Sequence, residues 1–566
     1  MWLLVLLLAS PLAHAQAPAW QSVVSPGGGT SGVYATATDA SGNIYTAGGF
    51  SGTVTFGSTT LTSAGARDLF VAKWSPVTGS FVWAQQAGGS GEEYVNSMTV
   101  SGNSVYIVGV FGSSQVVLGN ATLPNTGYSS TGNNYDGYVA KLTDAGSSGS
   151  FTWAQGFGGS GSEYGNGVAV IGARVYVSGV FTSPTASFGT INLLNAGTTA
   201  GTSDAYVAKL TDAGSSSSFG WAERLGGPGS DFCSSLASNG TSLYLAGSFS
   251  GATATFGPTT LTNSTAGVED VFVVRLTDQG AAPSYNWVQQ AGGSSTDQAL
   301  RIAVSPGSVY LAGRFNSTTA TFGSTVLTNA GGLDAYVAKL TDTNSAGTFA
   351  WAQAMGGPSS DYAYALAVRG SSVYVGGVFQ STATFGTSTA TSRGLTDVFV
   401  ARLVDAGPTA QVAWVQSAGG TGTDDLFSII LIGNRVYAGG DVTPPATFGS
   451  LSVAGPTGVG IVGFLASITD AAGLPTAVPT ARLLPGLHCY PNPARGTALV
   501  TMPPSPGTAA TLTLLDGVGR MVRTVELNSP ATGLEQSLDL VGLAPGSYLV
   551  RLTTGAGTAT QPLLVE

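Results

Sequence analysis

The stretch "DAYVAKLTDAG", Asp204–Gly214, returns almost unchanged along the chain, as "DGYVAKLTDAG" at Asp136–Gly146 and "DAYVAKLTD" at Asp334–Asp342. Tyr206, Ala208 and Leu210 alternate with Val207 and Lys209, which is the period of a β-strand. Both sides are largely apolar, so the strand is expected to meet a neighbour on each face. The Asp-Ala-Gly that follows supplies turn chemistry. An acid and a lysine five residues apart, beside a tyrosine, also resemble catalytic equipment, and the copies decide between the two readings.

The pair recurs as Asp68/Lys73, Asp136/Lys141, Asp204/Lys209, Asp270/Arg275, Asp334/Lys339 and Asp397/Arg402. A further acid stands ten residues after each Trp from Trp83 to Trp414, at Glu93, Glu163, Asp231, Asp297, Asp361 and Asp424. A catalytic centre is a local asymmetry, whereas these groups repeat, and Lys exchanges with Arg as a general base would not. The pair is therefore expected to be scaffold, either an ion pair between repeats or a hydrogen-bonded strand end.

Other markers give the count. "YTAGGF" at Tyr45 has counterparts at Tyr106, Tyr176, Tyr244, Tyr310, Tyr374 and Tyr437. Trp20, Trp83, Trp153, Trp221, Trp287, Trp351 and Trp414 keep the same period. Each repeat holds about four short alternating runs separated by Gly, Asn, Asp and Ser, with no helical period. Four-stranded units repeated about an axis describe a β-propeller, with a solenoid as the alternative. The phase of the repeats separates them. The strand of Trp20 precedes the first "YTAGGF", while the last repeat, "GFLASITDAAG", has no Trp strand after it. An N-terminal strand inserted there closes a ring and leaves no open sheet edge. The expected fold is thus all-β: a seven-bladed propeller closed by its N-terminal strand, followed by a small β-sandwich.

Through "Y-x-x-G-x-F", "FG", "D-x-[YF]-V-A-K-L" and "W-A-Q-x-x-G-G", residues 20–470 resemble the secreted seven-bladed β-propeller repeat family known as SBBP. That resemblance implies the fold and little about activity. The composition changes after the Pro-rich stretch "LPTAVPTARLLPG". "YPNP" (Tyr490, Pro491, Asn492, Pro493), "D-x-x-G-R" (Asp516, Gly519, Arg520) and "L-x-P-G-x-Y" (Pro545, Gly546, Tyr548) follow in order. This segment resembles the type IX secretion C-terminal sorting domain, departing from it in ending on Glu566 where a basic residue is common. The resemblance implies export to the periplasm, passage across the outer membrane by the type IX machinery, and release or attachment at the cell surface. The start, "MWLLVLLLASPLAHAQ", has the shape of a secretory leader with an A-x-A site, although it lacks Lys and Arg. The expected organisation is a leader at 1–15, a propeller at 16–470, a linker at 471–486 and a sorting domain at 487–566.

Composition narrows the function. A net charge of −10 excludes a basic footprint for nucleic acid or anionic lipid. No run of about 18 apolar residues offers a membrane span. His14 lies in the leader and His488 in the tail, so the propeller can build neither a His triad nor a His/Cys metal site. The Gly-rich strings never reach G-K-[ST], and no EF-hand spacing occurs. No catalytic residue, metal or cofactor is assigned, and the two cysteines are expected to stay unpaired. An enzyme acting on glycans would need two acids at one mouth, breaking the ring pattern and backed by Arg or Tyr. No such cluster is visible in the sequence.

A site is expected where the repeat is broken. The insertion "NTGYSSTGNNYDG", Asn125–Gly137, offers Tyr128, Asn133, Asn134 and Tyr135, and Arg301 and Arg314 depart from their counterparts. These six are the candidate binding residues, for a glycan or a surface or matrix protein. The expected function is an exported, monomeric binding or adhesion module. A secreted glycan hydrolase or lyase and a purely structural envelope protein are the alternatives.

Overall fold

The computed structural model describes residues 17–130, 134–197, 201–263, 265–455, 460–470, 487–502, 510–516, 521–527, 534–543, 545–554 and 557–565. The expected leader and linker, with Asn133, Gly519 and Arg520, lie outside the described residues. The chain divides into two compact bodies, Met1–Leu474 and Pro475–Glu566.

The first body is built of four-stranded antiparallel sheets, seven of them among the described residues. In the fourth, Asp231–Asn239, Ser242–Phe249, Asp270–Asp278 and Pro283–Gly293 pair in chain order. The innermost strands begin at Gly27, Glu93, Glu163, Asp231, Asp297, Tyr362 and Asp425. Each touches the next, and the last, Asp425–Ile432, touches the first, Gly27–Thr38, so the units form a ring about an axis. The seventh sheet takes its outer strand from the N-terminus: Trp20–Val24 pairs antiparallel with Val462–Thr469. Trp20 is buried there, edge-on to Phe448 with ring centroids 5.1 Å apart, and donates from Nε1 to the Ser417 carbonyl at 3.1 Å.

Each unit also carries a hairpin beyond the four strands read from the sequence, its first arm continuous with the second strand, Ile44–Phe56, in the first unit. Elsewhere its arms are strands of three or four residues between the second and third, for example Gln115–Leu118 with Ala121–Pro124. Its turn is the "FG" marker. Gly57, between Phe56 and its partner Thr59, has φ of +61°, which a two-residue hairpin loop requires of its first residue.

The opening stretch packs as its alternation predicts. Tyr206, Ala208 and Leu210 join the apolar cluster shared with the preceding unit, while Val207 joins that of the following one. Its charged groups behave differently from either simple reading. Lys73 pairs across the junction with the turn acid of the next unit, Nζ to Asp144 Oδ2 at 2.6 Å, rather than with Asp68. The same acid accepts from Tyr45 Oη at 2.6 Å and Trp83 Nε1 at 3.0 Å, while capping its own turn through the Gly146 N–H. Asp212, Asp278, Asp342 and Asp405 repeat this arrangement with the Lys or Arg, Tyr and Trp of the unit before. Asp470 receives Tyr374 and, at 3.5 Å, Arg402. The turn acid is therefore a staple between units as well as turn chemistry. Burial alone would raise these carboxyls, but the donors from Lys, Tyr and Trp outweigh it and hold Asp144, Asp212, Asp278 and Asp405 below their ordinary value.

The strand-start acids take the other expected role. Asp68 accepts the Ala64 N–H at 3.1 Å, and Asp334 that of Ala330 at 2.6 Å. Beside each lies the acid of the next inner strand, as Asp361 lies by Asp334. Gly356 runs so close that a Cβ there would come within 2.9 Å of both carboxyls. Cations thus staple one face of the ring, while backbone amides hold the buried acids of the opposite face.

The second body is a sandwich of two antiparallel sheets. Leu512, Leu514, Val500, Leu538, Val550 and Leu552 fill the space between them.

Truncating a buried Trp costs about 3–5 kcal/mol, so Trp20→Ala is expected to lower the melting transition sharply although it lies outside the main repeats. An unchanged transition would contradict closure by this strand. Asp278→Ala leaves Lys209, Tyr176 and Trp221 without their acceptor and is expected to cost about 3–5 kcal/mol in denaturant unfolding. Combining Asp278→Leu with Lys209→Met is expected to recover part of that loss, because the stranded charge is gone.

Candidate functional site

Every innermost strand carries a β-bulge at the same place. The ladder skips one residue between Val33 and Ala35, Val95 and Ser97, Gly165 and Gly167, Cys233 and Ser235, Ala299 and Arg301, Ala363 and Ala365, and Leu426 and Ser428. A bulge leaves one residue unpaired and re-aims its side chain. The seven skipped residues are Tyr34, Asn96, Asn166, Ser234, Leu300, Tyr364 and Phe427, and all seven line one axial cavity of about 590 Å3. The charged scaffold columns of the repeat hold one residue type or a like pair such as Lys/Arg or Asp/Glu; this column holds five types.

The distinction separates this cavity from two others. A groove of about 570 Å3 along Leu123, Asp136, Gly156 and Gly158 has a twin of the same volume along Leu327, Asp334, Ala354 and Gly356. Those residues occupy equivalent positions in their repeats, so these grooves come with the scaffold. The axial cavity is made by what does not repeat.

Around its mouth the aromatic rings form a continuous arc. Tyr164 meets Tyr135 at 6.0 Å between centroids, Tyr135 meets Tyr94 at 6.4 Å and Tyr94 meets Tyr34 at 6.5 Å. Tyr34 then meets Phe427 at 5.3 Å, Phe427 meets Tyr364 at 5.8 Å, and Tyr364 stacks on Tyr362 at 5.6 Å. All seven rings are half-buried, so each keeps surface toward solvent. Arg67 lies 5.2 Å over Tyr94 and donates to Tyr34 Oη at 3.2 Å. Arg314 lies 4.8 Å over Tyr362 and is oriented by Gln298, Nε to Oε1 at 2.6 Å. Glu92 accepts from Tyr94 and Tyr135. The rest of the rim is mixed: Gln298 is bonded to Glu269, while Ser234 and Leu300 carry no ring.

Two acids complete the site. Asp425 and Asp441 face each other as register partners on adjacent strands, and both line the cavity. Like charges directly opposite repel. Burial first, and then the Asp425 charge, push Asp441 up to about 8; burial and the charge of Asp424 push Asp425 up to about 6. Burial raises Tyr34 to about 12 as well, the nearby Arg67 opposing it. Near neutral pH the pair therefore presents one protonated and one largely ionised carboxyl. Two acids at one mouth, outside the ring pattern and beside Tyr34 and Arg67, are the cluster that was not visible in the sequence.

Of the candidates from sequence, Tyr135, Arg301 and Arg314 come together here. Asn134 does not: its amide donates to the carbonyls of Gly127 and Ser160 and holds the inserted loop. Tyr128 stands exposed on that loop, and Asn133 lies outside the described residues. Sequence reading missed Tyr34, Arg67, Glu92, Tyr94, Tyr164, Tyr362, Tyr364, Asp425, Phe427 and Asp441. A register-by-register comparison of the seven repeats would have found most of them. In the tail, "YPNP" forms an exposed corner whose Asn492 exchanges hydrogen bonds with Pro562 and Leu564, at 2.8 Å each. Asp516 ends the strand run before the undescribed Gly519 and Arg520. Pro545 and Gly546 lead into Gly546–Thr554, whose Tyr548 packs on the sandwich core.

Among the described residues no group of three or more His, Cys, Asp or Glu is placed to hold a metal, and no helix is long and apolar enough to cross a membrane. Cys233 and Cys489 are free. No curated protein matches the chain. Among solved structures, Trypanosoma rangeli sialidase in complex with sialic acid aligns at 10% identity and a TM-score of 0.33, over 87% of this chain and 86% of that one. A mutant of NanB sialidase from Streptococcus pneumoniae aligns at 10% and 0.33, over 82% and 72%. A glycoside hydrolase family 32 protein from Bifidobacterium adolescentis aligns at 12% and 0.27, over 96% and 95%. Likeness of this degree bears on no functional argument. Residues 488–566 match the family model described as a secretion system C-terminal sorting domain. That tail implies interaction with the type IX secretion machinery and marks a protein exported across the outer membrane to the cell surface or the extracellular space.

Proposed function

We propose that the chain is an exported seven-bladed propeller of the secreted repeat family whose axial mouth binds glycans, delivered to the surface by its sorting tail. The supporting observation is the arc of seven half-buried rings at one rim, three of them, Tyr34, Tyr364 and Phe427, at bulged positions. Aromatic faces cover the apolar faces of sugar rings, and the carboxyls, guanidinium groups and amides among them match hydroxyl groups. A cavity of about 590 Å3 falls within the range of small-ligand sites. Binding without turnover is the reading for an adhesion module.

Hydrolysis is the second reading, and the Asp425/Asp441 pair favours it. Two carboxyls whose surroundings separate their proton affinities supply the acid and base that glycoside hydrolysis needs.

Glycan-array binding by the secreted protein tests the first reading. Tyr34→Ala and Phe427→Ala are expected to weaken binding at least about tenfold, worth ~1.4 kcal/mol, while Tyr128→Ala leaves it unchanged. The reverse pattern would move the site to the inserted loop. Product release abolished by Asp425→Asn or Asp441→Asn would replace the binding-only reading with the enzymatic one.

The pH dependence of stability checks the burial of Asp441. A carboxyl raised on folding adds stability that is complete below its unfolded pKa and lost as pH climbs through the folded value. Asp441→Asn removes that titration. Its melting gain over the parent is expected to be near zero at about pH 4, to grow with pH and to level off above about pH 8. A gain independent of pH would refute it.

A further inference from the structure

Below the aromatic rim the axial channel narrows to a second chamber of about 120 Å3. Arg301 borders both chambers. It occupies the position just after the bulge, where the other six units carry Ala35, Ser97, Gly167, Ser235, Ala365 and Ser428. Small residues there leave the channel open, so packing alone does not call for an arginine.

The guanidinium reaches past the adjacent unit. Nη1 donates to the carbonyl of Leu300 at 2.9 Å, and Nη2 approaches that of Phe427, two units round the ring, at 3.5 Å. A guanidinium has five N–H donors. Among the described residues no carboxylate lies within ion-pair distance of it, although the chain has 29 acids against 19 Lys and Arg. The six fully buried Lys and Arg, from Lys73 to Arg402, each have an acid, whereas half-buried Arg67, Arg314 and Arg369 share with Arg301 the lack of one among the described residues; of these four only Arg301 lines the channel. Asp425 and Asp441 border the upper chamber only; polar Asn96, Asn166, Ser235 and Ser428 line the lower one. The lower space equals about four waters at ~30 Å3 each, enough for a carboxylate or sulfate group and too small for a sugar ring.

We infer that the lower chamber is an anion subsite with Arg301 as its cation, so that a carboxylate or sulfate group enters it from the mouth. Resting on the glycan reading of that mouth, this assigns its ligands to acidic glycans, uronate or sulfated sugars, whose ring lies against the aromatic arc while the acidic group reaches down. A partly buried cation without a counter-charge is costly, and a bound anion offsets that cost by charge-assisted hydrogen bonds.

The test compares the secreted protein with R301M and R301K. The first arm measures affinity for oligogalacturonate against its methyl ester, and for chondroitin sulfate oligosaccharides against their desulfated form. The second measures melting shifts with sodium sulfate or acetate alone at constant ionic strength. The parent is expected to prefer the acidic member of a pair at least about tenfold. R301M is expected to lose the preference, the two members of each pair then binding alike, and R301K to keep part of it. A shift by the free anion that R301M abolishes, without an acidic preference, would assign the subsite to a solution anion. If no sugar binds but that shift occurs, the glycan reading of the mouth fails and the subsite stands. Preferences and shifts that survive R301M overturn the inference. So does unfolding of both variants, which would make Arg301 a structural brace.

Discussion

The ring depends on a buried ion pair that never closes within one repeat. Each turn acid from Asp144 to Asp470 belongs to one unit and is neutralised by the Lys or Arg of the unit before it. A unit alone would carry a cation toward one neighbour and a carboxylate toward the other, each unpaired. Breaking one such pair costs several kcal/mol, whereas its net gain over a well-packed apolar contact is small. The staple is thus stronger as a constraint on register and order than as a source of stability. It obliges units to meet face to face with the Tyr and Trp aligned on the same acid.

One junction lacks it, and the exception has a physical reason. Ser467 stands where the lysine would be, and the turn after Asp68–Ser75 has no acid. Tyr437 packs on Trp74 at 6.0 Å instead, with Ile44 and Leu465 beside them. This is where the first and seventh units meet, the latter completed by Trp20–Val24. Here chain connectivity does not bring successive units together; the N-terminal strand does so by hydrogen bonding into the last sheet. An apolar seam carries no unpaired charge while the ring is open, so this junction tolerates being unformed better than a stapled one would.

Much of this was legible in the sequence, because scaffold columns repeat. The alternation around Tyr206, the Asp-Gly turns, the Trp period and the displaced Trp20 each follow from local chemistry that a strand or turn imposes. The added hairpin was not legible: four residues such as Gln115–Leu118 lie at the short end of strand lengths, and their "FG" turn resembled a mere marker. At the mouth, Arg301 and Arg314 were visible because a charge among small residues is conspicuous. Tyr34 and Phe427 were not, since one more aromatic in a chain rich in scaffold Tyr and Phe attracts no notice. Asp425 was hidden beside Asp424, which belongs to the ring of buried acids.

The geometry of a repeat ring explains why the mouth carries the distinctive chemistry. Any outward groove is made by two neighbouring units and recurs wherever their residues recur, as the paired cavities at Asp136 and Asp334 do. At the axis all seven units converge within one ligand's reach, so seven independent choices of side chain build one asymmetric surface. The bulges make those choices cheap. A bulged residue has left the ladder and its side chain lines the channel, so Tyr, Asn, Ser, Leu or Phe at that point leaves the pairing within its own sheet untouched. Staples and buried acids hold the strand ends at opposite faces, and the bulge between them is the position free to vary. The scaffold is uniform where units touch, and the chemistry accumulates where they only converge.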